Sequence, residues 1–99
     1  MNGKSQPIFD LLEKNRDTIR SFGVRRLGLF GSFARGEACA TSDLDFIVEF
    51  EHKSFDAYMD LKTFLEELLG RPVDLVMTDA IKPRLRAAIL REAVDVPGL

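Results

Sequence analysis

The chain has 99 residues, 45% of them hydrophobic and including 8 Phe and 1 Tyr, enough to bury one core and too few to build two. With 14 basic against 16 acidic side chains its net charge is −2, which argues against the strongly basic surface that nucleic-acid binding through phosphates requires. The single cysteine, Cys39, excludes an intrachain disulfide, and there is no charged-then-apolar leader or long apolar run. One domain over residues 1–99, in a reducing cytoplasm and with no membrane role, is therefore expected.

From about Pro7 to Phe22 the residues Ile8, Leu11, Leu12, Ile19 and Phe22 fall mostly on one helical stripe, and Gly23 is placed to stop it, which predicts a first helix. Val24 to Phe30 is β-rich and runs into Gly31-Ser32, after which Phe33-Ala34-Arg35 can form a short helical turn before Gly36. Leu44, Phe46, Val48 and Phe50 alternate with Asp45, Ile47 and Glu49, giving a second strand with one strongly apolar face and one carboxylate face. Tyr58, Leu61, Leu65, Leu68 and Leu69 predict a helix over about Phe55 to Leu69, ended by Gly70-Arg71-Pro72. A third strand, Val73 to Thr78, carries Asp74 within an otherwise apolar run, and a buried, unpaired acid there would be costly. A last helix from about Pro83 to Ala93 is expected to turn Leu85, Ala88, Ile89 and Ala93 inward and Arg84, Arg86 and Arg91 outward.

The chemistry concentrates in Gly31 to Asp45. Successive strand residues point to opposite faces, so Asp43 and Asp45 project together while Leu44 enters the core. Two such carboxylates disfavour joint ionisation, and a hard divalent cation relieves the repulsion; magnesium suits them because it takes oxygen ligands and completes its shell with water and substrate phosphates. Gly31 lets backbone N–H groups approach a phosphate, and Ser32 adds a hydroxyl donor. If the third strand lies beside the second, Asp74 comes level with both acids. Two metal ions could then hold a triphosphate for in-line displacement, with Asp74 placed to orient or deprotonate the attacking hydroxyl. Arg35 could contact the same phosphate oxygens, or lie in solvent on its loop.

Other readings compete at single positions. Gly31-Ser32 alone is compatible with a plain strand-to-helix turn, and Asp74 with a buried ion pair to Arg25 or Arg26. Lys82, Arg84, Arg86 and Arg91 suit a solvated helix face more readily than a triphosphate or partner contact. His52 and Cys39 have no companions that suggest metal binding or nucleophilic catalysis.

The segment GSFARGEACATSDLDFIVEF, with VDLV at 73–76 and KPRLRAAILREAV at 82–94, resembles a minimal nucleotidyltransferase, a branch of the DNA polymerase β-like superfamily. The resemblance implies an α/β (α+β) domain, a palm-like short mixed β-sheet flanked by helices. It implies ATP as substrate with two magnesium ions, Gly31, Ser32 and Arg35 toward the triphosphate, and Asp43, Asp45 and Asp74 as the metal-holding catalytic triad. It further implies an antitoxin that transfers AMP to a tyrosine of a helical HEPN-domain ribonuclease toxin within a hetero-oligomer. Two alternatives remain: a binding module that neutralises its partner by occlusion, and a transferase acting on small molecules or RNA ends, against which the short chain and acidic balance both count.

Overall fold

The computed structural model describes residues 6–31, 43–52 and 54–96. The expected turn at Phe33 to Arg35, and with it Ser32 and Arg35, lies outside them, as does Cys39. Two helices, α1 (Gln6–Lys14) and α2 (Arg16–Ser21), precede strand β1 (Val24–Phe30). Strand β2 (Leu44–Phe50), helix α3 (Phe55–Leu69), strand β3 (Val73–Met77), a 3₁₀ turn (Thr78–Ala80), helix α4 (Pro83–Glu92) and the two-residue strand β4 (Val94–Asp95) follow. The sheet order is β3-β2-β1-β4: β1 runs antiparallel to both β2 and β4, and β2 runs parallel to β3. This is the mixed sheet with flanking helices that the sequence implied.

The expected first helix is broken at Asn15. Its side-chain amide donates to the Leu11 carbonyl at 2.8 Å, and its backbone N–H lies 3.2 Å from the carbonyls of both Leu11 and Leu12. An asparagine that binds the backbone of its own preceding turn competes with helix continuation, so the chain re-enters as α2, with Ile19 N–H donating to Asn15 O at 3.0 Å. Of the expected stripe Ile8, Leu12 and Ile19 are buried and Phe22 packs against the core, whereas Leu11 is 37% exposed and Phe9, outside the stripe, is buried in its stead.

One core joins these residues to Leu61 and Leu65 of α3 and to Leu27, Leu29, Leu44, Phe46, Val48, Val73 and Leu75 of the sheet. Val24 and Leu27 are three positions apart yet both buried, which strict alternation forbids; a register shift between Val24 and Arg26 reconciles them. Helix α3 starts at Ser54, whose hydroxyl accepts from Ala57 N–H at 3.3 Å, and ends at Gly70. It also protects the outer edge of β3: Glu66 Oε2 accepts from Val73 N–H at 3.0 Å, and the Tyr58 hydroxyl donates to the Leu75 carbonyl. These two outward-facing backbone groups are thereby satisfied on a strand that, among the described residues, has no further strand on that side.

Elsewhere the structure corrects four expectations. Ile47, between Asp45 and Glu49, is fully buried rather than lying on an open polar face. Helix α4 is turned partly away from the expected orientation: Arg86, Ile89, Leu90 and Glu92 are its partly buried residues and Ala93 just after it is partly buried too, so Ile89 and Ala93 lie inward as expected, whereas Leu85 is 47% exposed and Ala88 is exposed. Arg86 Nη2 donates to the Ile81 carbonyl at 3.1 Å, which holds the side chain inward, while its buried Nε has no hydrogen-bond partner among the described residues. The third strand ends at Met77 rather than Thr78, where the 3₁₀ turn begins, and β4 was not foreseen. Two residues carry no periodicity; β4 exists because Val94 and Asp95 pair with Leu29 and Gly28, and Val96 N–H donates to Leu27 O at 2.9 Å.

Candidate active site

The C-terminal end of β1 and the N-terminal starts of β2 and β3 meet at one end of the sheet. Phe30 pairs with Asp45, and Asp45 pairs in turn with Asp74 across the parallel β2–β3 ladder. The Leu44 N–H donates to Pro72 O at 3.1 Å and anchors that register at the first residue of β2. Register partners on adjacent strands share a face, with backbones about 4.8 Å apart, so Asp45 and Asp74 lie side by side on the face away from the main core. Asp43 stands one residue before β2 and is exposed.

Gly31 is built against this pair. Its φ of 78° is reached readily only by glycine, and a Cβ at that position would sit 3.2 Å from Cγ and 3.3 Å from Cβ of Asp45, and closer still to Oδ2. The turn after β1 therefore rests directly on the Asp45 carboxyl group. The glycine that sequence reasoning assigned to phosphate approach has a second duty, clearing space for an acid 14 positions later.

The ion-pair alternative for Asp74 does not hold. Asp74 is exposed, so no burial has to be compensated, and Arg26 pairs with Asp95, Nε to Oδ1 at 2.8 Å. That hydrogen bond is the main reason the Arg26 guanidinium is held above its ordinary pKa, against the opposing effect of burial. Asp95, the acid sequence reasoning overlooked, ties β4 to β1 and leaves Asp74 on the site face. Its only signal was its position two residues beyond the last predicted helix.

Among the described residues no three His, Cys, Asp or Glu side chains lie close enough together to cage a metal ion. The register makes Asp45 and Asp74 neighbours through their backbones, and like charges resist closer approach of the carboxylate oxygens. His52 is exposed, in keeping with a surface role.

Residues 11–96 match the nucleotidyltransferase domain family. The chain belongs to that family. Over 93 residues it is 42% identical to protein adenylyltransferase MntA of Thermococcus cleftensis, covering 92% of this chain and 94% of that protein. A solved structure described as a minimal nucleotidyltransferase is similar with a TM-score of 0.72 and 42% identity, over 87% of this chain and 93% of the other. A toxin–antitoxin complex crystallised with AMP-PNP is similar with a TM-score of 0.68 and 27% identity, over 93% of this chain and 71% of that one. The chain is thus a nucleotidyltransferase with the minimal form of the fold. Among its described residues no helix is long and apolar enough to cross a membrane.

Proposed function

We propose that this nucleotidyltransferase transfers AMP from ATP, with magnesium, to a tyrosine hydroxyl of a HEPN-type toxin, and that it thereby acts as the toxin's antitoxin. The observation that carries the reading is the alignment of Gly31, Asp45 and Asp74 at one end of the sheet, with the glycine turn against one carboxylate and the second acid beside it. The adenylyltransferase relative and the AMP-PNP-bound toxin–antitoxin complex support adenylyl transfer and a protein acceptor.

The donor chemistry suits magnesium, since Asp43, Asp45 and Asp74 are hard oxygen ligands and Asp43 and Asp74 are exposed where triphosphate oxygens could complete a coordination shell, but the three side chains would have to draw together around the ions. Asp43 and Asp45 would hold two ions and Asp74 would touch one. When bound, magnesium would offset the repulsion between the carboxylates and polarise the triphosphate. Gly31 and Ser32 would hold the triphosphate by backbone N–H and hydroxyl donors, with Arg35 adding a charge-assisted contact. Asp74, on edge strand β3, is accessible to an incoming protein and would accept the tyrosine proton as the phenolic oxygen bonds to the α-phosphorus. The bond from the α-phosphorus to the bridging oxygen breaks, and pyrophosphate leaves.

The test is transfer of α-labelled ATP to a purified HEPN-type partner in the presence of magnesium. Label should reach the partner with the wild-type chain and fail to do so with Asp43→Asn/Asp45→Asn. Neutralisation that persists in that double variant, with no label transferred by the wild type, would establish occlusion instead. That second reading draws on the exposed apolar residues Phe55 and Met59.

A further inference from the structure

The exposed residues of α3 are Phe55, Asp56, Met59, Asp60, Thr63 and Glu67. Asp56, Asp60, Thr63 and Glu67 follow helical spacing of four, three and four, so the three acids line one ridge. No basic residue is exposed on this helix, and none of the three acids forms an ion pair among the described residues. Phe55 and Met59, 77% and 40% exposed, flank the ridge on one side. Beneath Phe55 lies a predominantly apolar pocket of about 320 Å³, also lined by Ser54, Tyr58 and Met77.

Folding does not account for this face. Asp56 and Asp60 are like charges four apart, which disfavours the helix, and Glu67 sits in a last turn that has no basic residue and where the helix dipole favours cations. Glu66 caps Val73 and Asp56 suits the first turn, but Asp60, Glu67 and the solvent-facing Phe55 ring have no such structural use. Their arrangement, an aromatic side chain over an apolar pocket beside unpaired acids, is that of a protein contact with a central anchor and a charged margin.

We propose that the outer face of α3 is the docking surface for the acceptor protein, which presents a Lys- and Arg-bearing segment with one bulky apolar side chain seated in the Phe55, Tyr58 and Met77 pocket. The proposal rests on the reading that this chain modifies a partner protein. Charge complementarity sets the partner's sign and excludes phosphate-rich nucleic acid, which the acidic ridge repels. A second copy is the other candidate, since Arg84 and Arg91 are exposed on α4. That contact would join two different faces, so unless it repeats reciprocally about a two-fold axis it leaves one face of each kind open and runs on as a filament or closes into a ring. Met77 and Asp74 lie on the same edge strand, about 10 Å apart along it and on opposite sheet faces. A partner held at this pocket is therefore near the acidic site without covering it.

The test measures the affinity of the full-length chain for a purified HEPN-type partner by titration calorimetry at two salt concentrations. Phe55→Ala and Asp60→Lys/Glu67→Lys should each raise Kd by about tenfold or more, the charge variant should flatten the salt dependence, and AMP-PNP affinity should be unchanged. Circular dichroism confirms folding. Affinity within about twofold of wild type in both variants overturns the proposal, as does concentration-dependent self-association of the wild type that Phe55→Ala abolishes. A wild-type complex that receives no label leaves the docking surface standing and removes the adenylylation reading; transfer that proceeds with undisturbed affinity in both variants does the reverse.

Discussion

Replacing Gly31 by alanine separates backbone strain from displacement of the acid, because the chain supplies its own controls. Gly23, Gly31 and Gly70 all have positive φ, at 85°, 78° and 66°, but a Cβ at Gly23 or Gly70 meets nothing within 4 Å. Alanine at any of the three costs about 1–2 kcal/mol for the left-handed conformation. In a domain of this size that is a fall in Tm of roughly 4–8 °C per kcal/mol, which a stability of about 5–15 kcal/mol survives. Only at position 31 does the new methyl also press on Asp45, at 3.2 Å from Cγ and nearer to Oδ2, so the carboxylate must swing away. Misplacing a reacting or ligand group by about 1 Å is worth roughly 10²-fold in rate. Gly31→Ala should therefore lose about a hundredfold in labelled AMP transfer, while Gly23→Ala and Gly70→Ala lose comparable stability and keep their activity. Thermal melts and a radiolabel transfer assay on the three variants decide it. Gly31→Ala retaining activity within about threefold of wild type would refute the contact argument, as would equal activity losses in all three.

Asp74→Asn should lower transfer by about 10²–10⁴-fold if Asp74 accepts the tyrosine proton, and because the residue is exposed its effect on chemical denaturation should stay within about 0.5 kcal/mol. Phe46→Ala, which empties the largest fully buried side chain, should cost about 3–5 kcal/mol in urea unfolding; a loss under about 1 kcal/mol would mean that the core is not packed as described. The Arg26–Asp95 pair, with side chains 32% and 52% exposed, should contribute only about 0–1 kcal/mol. Because Asp95 raises the Arg26 pKa, the arginine's share is complete below its ordinary value and is lost only as pH rises through the raised one. Arg26→Gln should accordingly lower stability by a similar small amount at roughly pH 7 and pH 9, and a difference that disappears between them would contradict the assignment.

Local chemistry determined a good deal of this protein. The limits of β1 and β2 and the α3 stop at Gly70 were legible because alternation, helical spacing and turn residues act over a few positions. The break at Asn15 was less so, since the amide of one side chain outweighed an unbroken apolar stripe. Tertiary structure decided the rest. That β3 lies parallel to β2 with Asp74 opposite Asp45, that Asp95 rather than Asp74 takes Arg26, that α4 turns Arg86 inward and Leu85 out, and that Val94 and Asp95 form a strand at all are matters of pairing between segments far apart in the chain. Periodicity states which residues share a face, but the neighbour each face meets depends on backbone hydrogen bonds and packing that exist only after the elements assemble.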